Sequence, residues 1–351
     1  MRHFRTYLGD VIWVSGQRAY IDIPRGNYLR RLILKVYGTF TLAGGAASGT
    51  VRSEAPATIL ENVNVVGNDF GNIKAFDGTG LFLSTKMHSH VVFPVLTGDG
   101  SEATHPILGV FTIDFAQPRK MNIRPADTFL DSRRFSSLRL ELNFATNWRD
   151  AMYSENDRTE SAASGGVRVH AEYETPHGNF GEPLIYQQIM LTKSVVAAST
   201  AFRFPLPVNF TYKNMILSAQ NKAAGGQYTG NDAIITSYDL EFNANRYPIG
   251  DDNFIMRQYL DCLDHEFNAI HAGANFNMFD LDGMIKESIV TLNGSNLDLV
   301  MVVTNPAGDD EIRAYCGVLV RWPMGLRGEV CAPVASQARA FGTARKVRAL
   351  A

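Results

Sequence analysis

The 351-residue sequence predicts an all-β protein made of two tandem β-sandwiches with small helical insertions. Three observations carry that expectation. Short runs rich in Val, Ile, Leu, Thr and aromatic residues recur along the whole chain, and residues 138–144 (Leu-Arg-Leu-Glu-Leu-Asn-Phe) alternate strictly, as a half-buried strand requires. Turn-forming residues separate the runs, at Gly44-Gly45, Gly98 to Gly100, Gly165-Gly166, Gly225-Gly226 and Asn293-Gly294. Landmarks of the first half return in the same order in the second.

In chain order, strands are expected at residues 11–14, 19–23, 32–42, 59–66, 91–96, 110–115 and 138–144 of the first half. A second series follows at 167–173, 185–191, 201–204, 214–219, 234–242, 289–292, 297–303 and 314–322. Two segments read as helices: 77–86, and 252–265, where Phe254, Ile255, Tyr259 and Leu263 fall at helical spacing. So many short strands with turns between them favour sandwiches over α/β units.

The repeat is weak at each match and ordered overall. Leu29-Arg-Arg-Leu-Ile-Leu-Lys-Val resembles Tyr212-Lys-Asn-Met-Ile-Leu-Ser-Ala, and Ile59 onward resembles Ile234 onward. Phe111, Ser137 and Val167 each open a segment resembling those from Phe276, Asn296 and Ile312. The separation shrinks steadily from 183 to 145 residues, as a duplicated sandwich with shorter loops in its second copy predicts. Pro176, Gly178, Gly181 and Pro183 cluster between the copies. The expected division is therefore 1–178, 179–334 and a C-terminal tail, 335–351.

Composition narrows the function. With 33 Lys+Arg against 35 Asp+Glu, the body of the chain is not a nucleic-acid-gripping surface. The longest run without a charge, residues 36–51, is too short and glycine-rich for a membrane helix. Three widely spaced cysteines, Cys262, Cys316 and Cys331, form no disulfide framework and suit a reducing compartment.

Candidate chemistry is thin. His88-Ser89-His90 would place two imidazoles on one face of a strand, a metal-binding geometry, yet the surrounding residues fit no such pattern and a surface histidine pair is the expectation. Asp280-Leu-Asp282-Gly283 resembles part of a calcium loop but lacks its later ligands. Glu54, Asp251, Asp252, Asp309, Asp310 and Glu311 could pair for acid–base work, but their turn contexts favour solvated acids. No nucleophile elbow or phosphate loop is present. The expectation is no catalytic site, no cofactor and no metal.

The ends carry more signal. Arg outnumbers Lys 24 to 9, as interfaces favour. Residues 337–351 hold Arg339, Arg345, Lys346 and Arg348 with no acid, and the chain opens with Arg2, His3 and Arg5. Such tails suit an anionic surface, either lipid headgroups or packaged nucleic acid, and equally a solvated, partly mobile terminus.

These residues also carry a resemblance. The run Ile21-Asp-Ile-Pro-Arg-Gly-Asn-Tyr-Leu-Arg-Arg-Leu-Ile-Leu-Lys-Val, followed by a Gly-rich turn and Glu54-Ala-Pro-Ala-Thr-Ile-Leu-Glu-Asn-Val-Asn-Val-Val, resembles the first jelly roll of the double jelly-roll major capsid proteins. These belong to tailless icosahedral viruses with an internal membrane, the lineage that includes the adenovirus hexon. Phe129-Leu-Asp-Ser-Arg-Arg-Phe-Ser-Ser-Leu-Arg-Leu is similar to late strands of that roll. The resemblance implies two tandem eight-stranded jelly rolls and a homotrimer of pseudo-hexagonal outline tiling a shell. It implies neighbouring capsomers and other virion proteins as partners, in a virion such as a bacteriophage, assembled in host cytoplasm. Contact of the termini with membrane or genome and the absence of a small-molecule substrate follow in the same way. By this reading loops 97–106, 147–166, 221–232 and 265–277 become towers or contacts between subunits. The competing expectation is a two-domain carbohydrate-binding or carbohydrate-active sandwich, with Trp148, Tyr153 and Tyr173 as a platform and Glu155 or Asp157 as acids. Another virion component, such as a spike, is a third.

Overall fold

The computed structural model describes residues 3–45, 49–68, 70–89, 95–115, 128–155, 158–175, 184–222, 228–250, 253–264, 267, 269–279, 289–291, 294, 296–304 and 308–321. Its first half contains β1 (His3–Ile12), β2 (Arg18–Asp22), β3 (Tyr28–Ala43), β4 (Thr50–Val51), β5 (Leu60–Gly67), β6 (Gly71–Phe76) and α1 (Gly78–Ser89). It continues with β7 (Thr104–Asp114), β8 (Leu130–Asp131), β9 (Leu138–Phe144), α2 (Trp148–Met152), β10 (Tyr153–Glu155) and β11 (Thr159–Glu174). The second half contains β12 (Leu184–Val195), β13 (Ser199–Pro205), β14 (Thr211–Lys222), β15 (Tyr228–Gly230), β16 (Ile235–Phe242) and β17 (Asn245–Gly250). After these come α3 (Phe254–Asp264), β18 (Ala274–Met278), β19 (Ile289–Val290), β20 (Leu297–Val303) and β21 (Asp310–Arg321).

In the first half the sheet β1-β11-β3-β7 packs on β2-β9-β5-β6. In the second, β12-β21-β14-β18 packs on β13-β20-β16-β17. The two orders correspond strand for strand, each the arrangement of an eight-stranded jelly roll. Every segment pair of the sequence repeat falls on equivalent strands: β3 with β14, β5 with β16, β7 with β18, β9 with β20 and β11 with β21.

The alternation read at 138–144 becomes β9, with Leu138, Leu140, Leu142 and Phe144 in the core. Glu141 breaks the pattern because Arg18 and Arg139 bind its carboxylate and take it out of water. On the facing sheet Leu32, Leu34 and Val36 of β3 and Val167, Val169 and Ala171 of β11 complete the first core. Leu299 and Met301 of β20 meet Ala314, Cys316 and Val318 of β21 in the second.

The structure departs from the sequence expectation at several places. The expected strand at 91–96 is not formed by its described part, where Leu96 makes one isolated bridge to Leu108; α1 runs through Ser89 just before it. Loop 147–166 is largely ordered as α2, β10 and the start of β11, and loop 265–277 contains most of β18. β15 occupies part of loop 221–232 and β7 begins inside loop 97–106. Gly165-Gly166 is no breaker but the middle of β11, where Gly165 pairs with Gly38 of β3. A Cβ on either glycine would strike the Trp148 ring, so the pair forms a slot for the indole.

Candidate functional site

The geometry with the most chemistry is the junction between the rolls. β6 and β12 meet there as a parallel pair through Lys74 and Gln188, joining a sheet of one roll edge to edge with a sheet of the other. This seals two edges that would otherwise present unpaired backbone. α1, buried from Gly78 to His88, fills the space beside the seam. Its entry is fixed by Asp77, whose Oδ1 accepts the Gly80 N–H at 2.6 Å and the Tyr315 hydroxyl at 2.7 Å. Its Oδ2 accepts from Arg313, which also binds Glu311. Burial, and then the Asp77 charge, push the Tyr315 phenol well above its ordinary range. Gly80 is required because a Cβ there would enter the Tyr315 ring.

Deeper in the junction, a hydrogen-bond relay crosses from roll to roll. Asn214 Nδ2 donates to the Tyr186 hydroxyl at 2.6 Å, and that hydroxyl lies 3.4 Å from His88 Nε2. His88 Nδ1 lies 2.9 Å from the Ser84 carbonyl, which can only accept, so the proton belongs on Nδ1 and Nε2 receives the Tyr186 hydroxyl. This is a neutral imidazole, and burial lowers its pKa to about 4. Lys74 Nζ sits 3.7 Å from the centroid of the Tyr186 ring, and burial lowers its pKa to about 7 against the pull of Asp114. Two further links cross the junction. Lys86 Nζ donates to the Ala269 carbonyl at 2.9 Å, and His271 Nε2 lies 3.2 Å from Glu54 Oε1. Burial would raise the Glu54 carboxyl, but the His271 hydrogen bond and charge, with Arg52, outweigh it and hold the pKa at about 2.

These groups give the junction a pH dependence of definite sign. Between pH 6.5 and 4 the unfolded chain protonates His88 and the folded chain does not, so stability falls as pH drops through that window. Below pH 4.5 Glu54 adds a second loss, complete only near pH 2. Thermal melts from pH 7 to 4 are expected to show a loss of about 3 kcal/mol from His88. His88→Gln removes most of that slope; an unchanged slope in the variant rejects the assignment.

The sequence candidates fall differently from expectation. His88 lies on a buried helix face, not on a strand surface, and His90 lies outside the described residues. Among the described residues no cluster of His, Cys, Asp and Glu could hold a metal. Glu54 is no solvated turn acid but a buried bridge to the second roll, and Asp310 is buried too. Glu311 is tied to Arg313. Asp309 is exposed in a bend, while Asp251, Asp252, Asp280, Asp282 and Gly283 lie outside the described residues. Arg5 belongs to strand β1 and binds Glu172 at 2.5 Å, so residues 3–12 are an edge strand and not a free basic tail, while Arg2 lies outside the described residues. Arg339, Arg345, Lys346 and Arg348 lie outside the described residues, as does Cys331. The proposed sugar platform is dismantled by burial: Trp148, Tyr153 and Tyr173 are all core residues. Asp157 lies outside the described residues, as does the side chain of Glu155.

The junction residues Asp77, Tyr186 and Lys74 were not singled out by sequence. The only signal was indirect, in that Arg313 and Tyr315 align with Arg168 and His170 in the repeat. Beside the junction lies a cleft of about 580 Å³, lined from both rolls by residues including Arg52, Asp77, Asn147, Thr192, Tyr228 and Arg313. Among the described residues no helix is long and apolar enough to cross a membrane.

No protein-family model matches the chain, and no curated protein sequence does. Solved structures do match. The STIV MCP superposes with a TM-score of 0.70 at 14% identity, over 92% of this chain and 97% of that one. The major capsid protein P2 from bacteriophage PM2 gives 0.61 at 13%, over 92% and 99%. The PBCV-1 virus capsid gives 0.59 at 12%, over 91% and 94%. At identities of 12–14% the likeness is one of fold, and the fold of this chain is the double jelly roll in which these viral capsid proteins are built.

Proposed function

We propose that the chain is a viral major capsid protein, a structural component of the virion with no catalytic step, whose homotrimers tile an icosahedral shell. The observation that carries this reading is the exact correspondence of the two rolls in strand order, set side by side across a buried junction. Three such chains present six similar sandwiches around one axis, the outline that packs a closed surface with few shapes. The buried aromatics speak against a sugar-binding groove, which needs them on an open face. The chain divides in this reading into a first roll, 1–178, a second, 179–334, and a basic tail, 335–351. That division suits β11 ending at Glu174 and β12 beginning at Leu184. Neighbouring capsomers and other virion proteins are its partners. Arg339, Arg345, Lys346 and Arg348 would face an internal membrane or the packaged genome.

Light scattering of the purified protein at several concentrations tests the assembly. A stable species of three chain masses is expected, forming larger shells in electron micrographs. A protein that stays monomeric at every concentration rejects the proposal. In the same assay, removal of 337–351 is expected to leave the trimer and its melting temperature intact and to impair particle formation; unimpaired particles would remove the role given to the tail.

A further inference from the structure

The two helices that follow equivalent strands begin alike. Asp77 Oδ1 accepts the N–H of Gly80 at 2.6 Å, and Asn253 Oδ1 accepts the N–H of Met256 at 2.8 Å. The Asp77 carbonyl accepts from Leu81 and the Asn253 carbonyl from Arg257, again three and four residues into each turn. The helices therefore align position for position: Thr79 with Ile255, Gly80 with Met256, Leu83 with Tyr259, Ser84 with Leu260.

Their surroundings do not match. All four α1 positions are buried. Their α3 counterparts are exposed, at 47% for Ile255, 51% for Met256, 57% for Tyr259 and 36% for Leu260. Four large apolar side chains on one face of a helix in water are unusual unless something covers them. What meets the start of α1, at Gly80 and its cap Asp77, is the outer face of the second roll's β21, through Tyr315 and Arg313. The equivalent face of the first roll is β11, with His170 in the place of Tyr315 and Arg168 in the place of Arg313. Among the described residues nothing covers that face, and Arg168 is exposed on it. Tyr7 is 53% exposed, its ring centroid lies 5.4 Å from that of His170, and Arg168 lies 5.8 Å from the Tyr7 ring and 5.6 Å from the Tyr37 ring. Asp10 holds Arg168 by two hydrogen bonds of 2.9 and 3.0 Å. Tyrosine and arginine held rigid on an open sheet are the side chains that interface centres favour.

We infer that the Ile255-Met256-Tyr259-Leu260 face of α3 docks on the Tyr7-Tyr37-Arg168-His170 face of a second copy of this chain, repeating between chains the contact that α1 makes within one. The inference rests on the trimer reading above and names the surfaces that would close it. Side-chain volumes agree with it. Within the chain the helix supplies Gly80 and the sheet a tyrosine; between chains the helix supplies Met256 and the sheet a smaller histidine. Asn253 in the place of Asp77 agrees too, because Arg168 gives two guanidinium nitrogens to Asp10 of its own roll, whereas Arg313 divides its own between Glu311 of its strand and Asp77 across the junction. The contact joins two different patches, so repetition around an axis forms a ring.

The test is oxidative cross-linking of the full chain carrying Met256→Cys together with His170→Cys, with each single variant as control for the native thiols, and native mass measured in parallel. Bands of two and three chain masses, cleared by reductant and absent from both single variants, are expected from the double variant. Tyr259→Glu, at an exposed position, is expected to keep the wild-type melting temperature and to weaken assembly by about thirtyfold or more. A trimer that gives no cross-link and tolerates Tyr259→Glu overturns this surface and leaves the trimer standing. A wild-type protein that is monomeric throughout overturns both.

Discussion

Asp77→Ala is expected to destabilise the protein by about 3–5 kcal/mol, because it takes from the partly buried Arg313 its cross-roll carboxylate, leaving it Glu311 alone, and leaves the buried Tyr315 hydroxyl without its acceptor. The same change removes the side chain that caps α1 at Gly80, which adds about 1 kcal/mol to the loss. Two further variants separate these effects. Asp77→Asn keeps a cap of the type found at Asn253 and loses only the charge, so it should cost less. Asp77→Ala combined with Arg313→Met removes the charge pair together and should cost less than the two single changes added. Urea denaturation measures all four. A loss below about 1 kcal/mol for Asp77→Ala would mean that the junction is held by packing alone. Because the junction sets how one roll stands beside the other, the same variant should lower the yield of assembled particles even where each roll keeps its strands.

Trp148→Ala is expected to cost about 3–5 kcal/mol, the range for emptying a large buried site that cannot collapse. The indole is 1% exposed and packs edge-on to Trp13 at 5.4 Å and to Phe40 at 6.1 Å. Its far edge fills the slot left by Gly38 and Gly165, two paired strands that cannot close inward to refill the space. Gly165→Ala probes the other side of the fit. Its Cβ would meet the Trp148 ring and the Tyr37 carbonyl, so this one methyl should also destabilise, and combining it with Trp148→Ala should recover part of the loss. Thermal melts decide it. A Trp148→Ala protein that melts within a few degrees of wild type would show that the slot does not bear on stability.

Much of the architecture was readable without coordinates. Strand patterning gave the fold class, since a half-buried strand shows its core face as a period of two, and 138–144 did so over seven residues. The helices were legible for a similar reason: the Phe254-Ile255-Tyr259 spacing marks α3, and 77–86 covers all but the last three of the 12 residues of α1. Strands with weak patterns escaped. β6 (Gly-Asn-Ile-Lys-Ala-Phe) carries Lys74 in its middle, and a buried lysine reads as a solvent-facing one. β18 (Ala-Asn-Phe-Asn-Met) has Asn275 and Asn277 buried by neighbours that only the fold supplies.

By itself the sequence determined periodicity, order and duplication. Each is a local property of the chain, repeated often enough to be read in one dimension. Five loosely matching segments in the right order were enough to announce two copies of one sandwich. Only the tertiary structure decided which surfaces are inside. Whether a polar or glycine position is a turn, a slot or a bridge depends on groups far away along the chain. Gly165 sits across from Gly38, Asp77 meets Arg313, and Glu54 meets His271. Two helices at equivalent places, capped by Asp77 and Asn253, end up in different surroundings, because among the described residues α1 meets the second roll of its own chain while one face of α3 stays exposed.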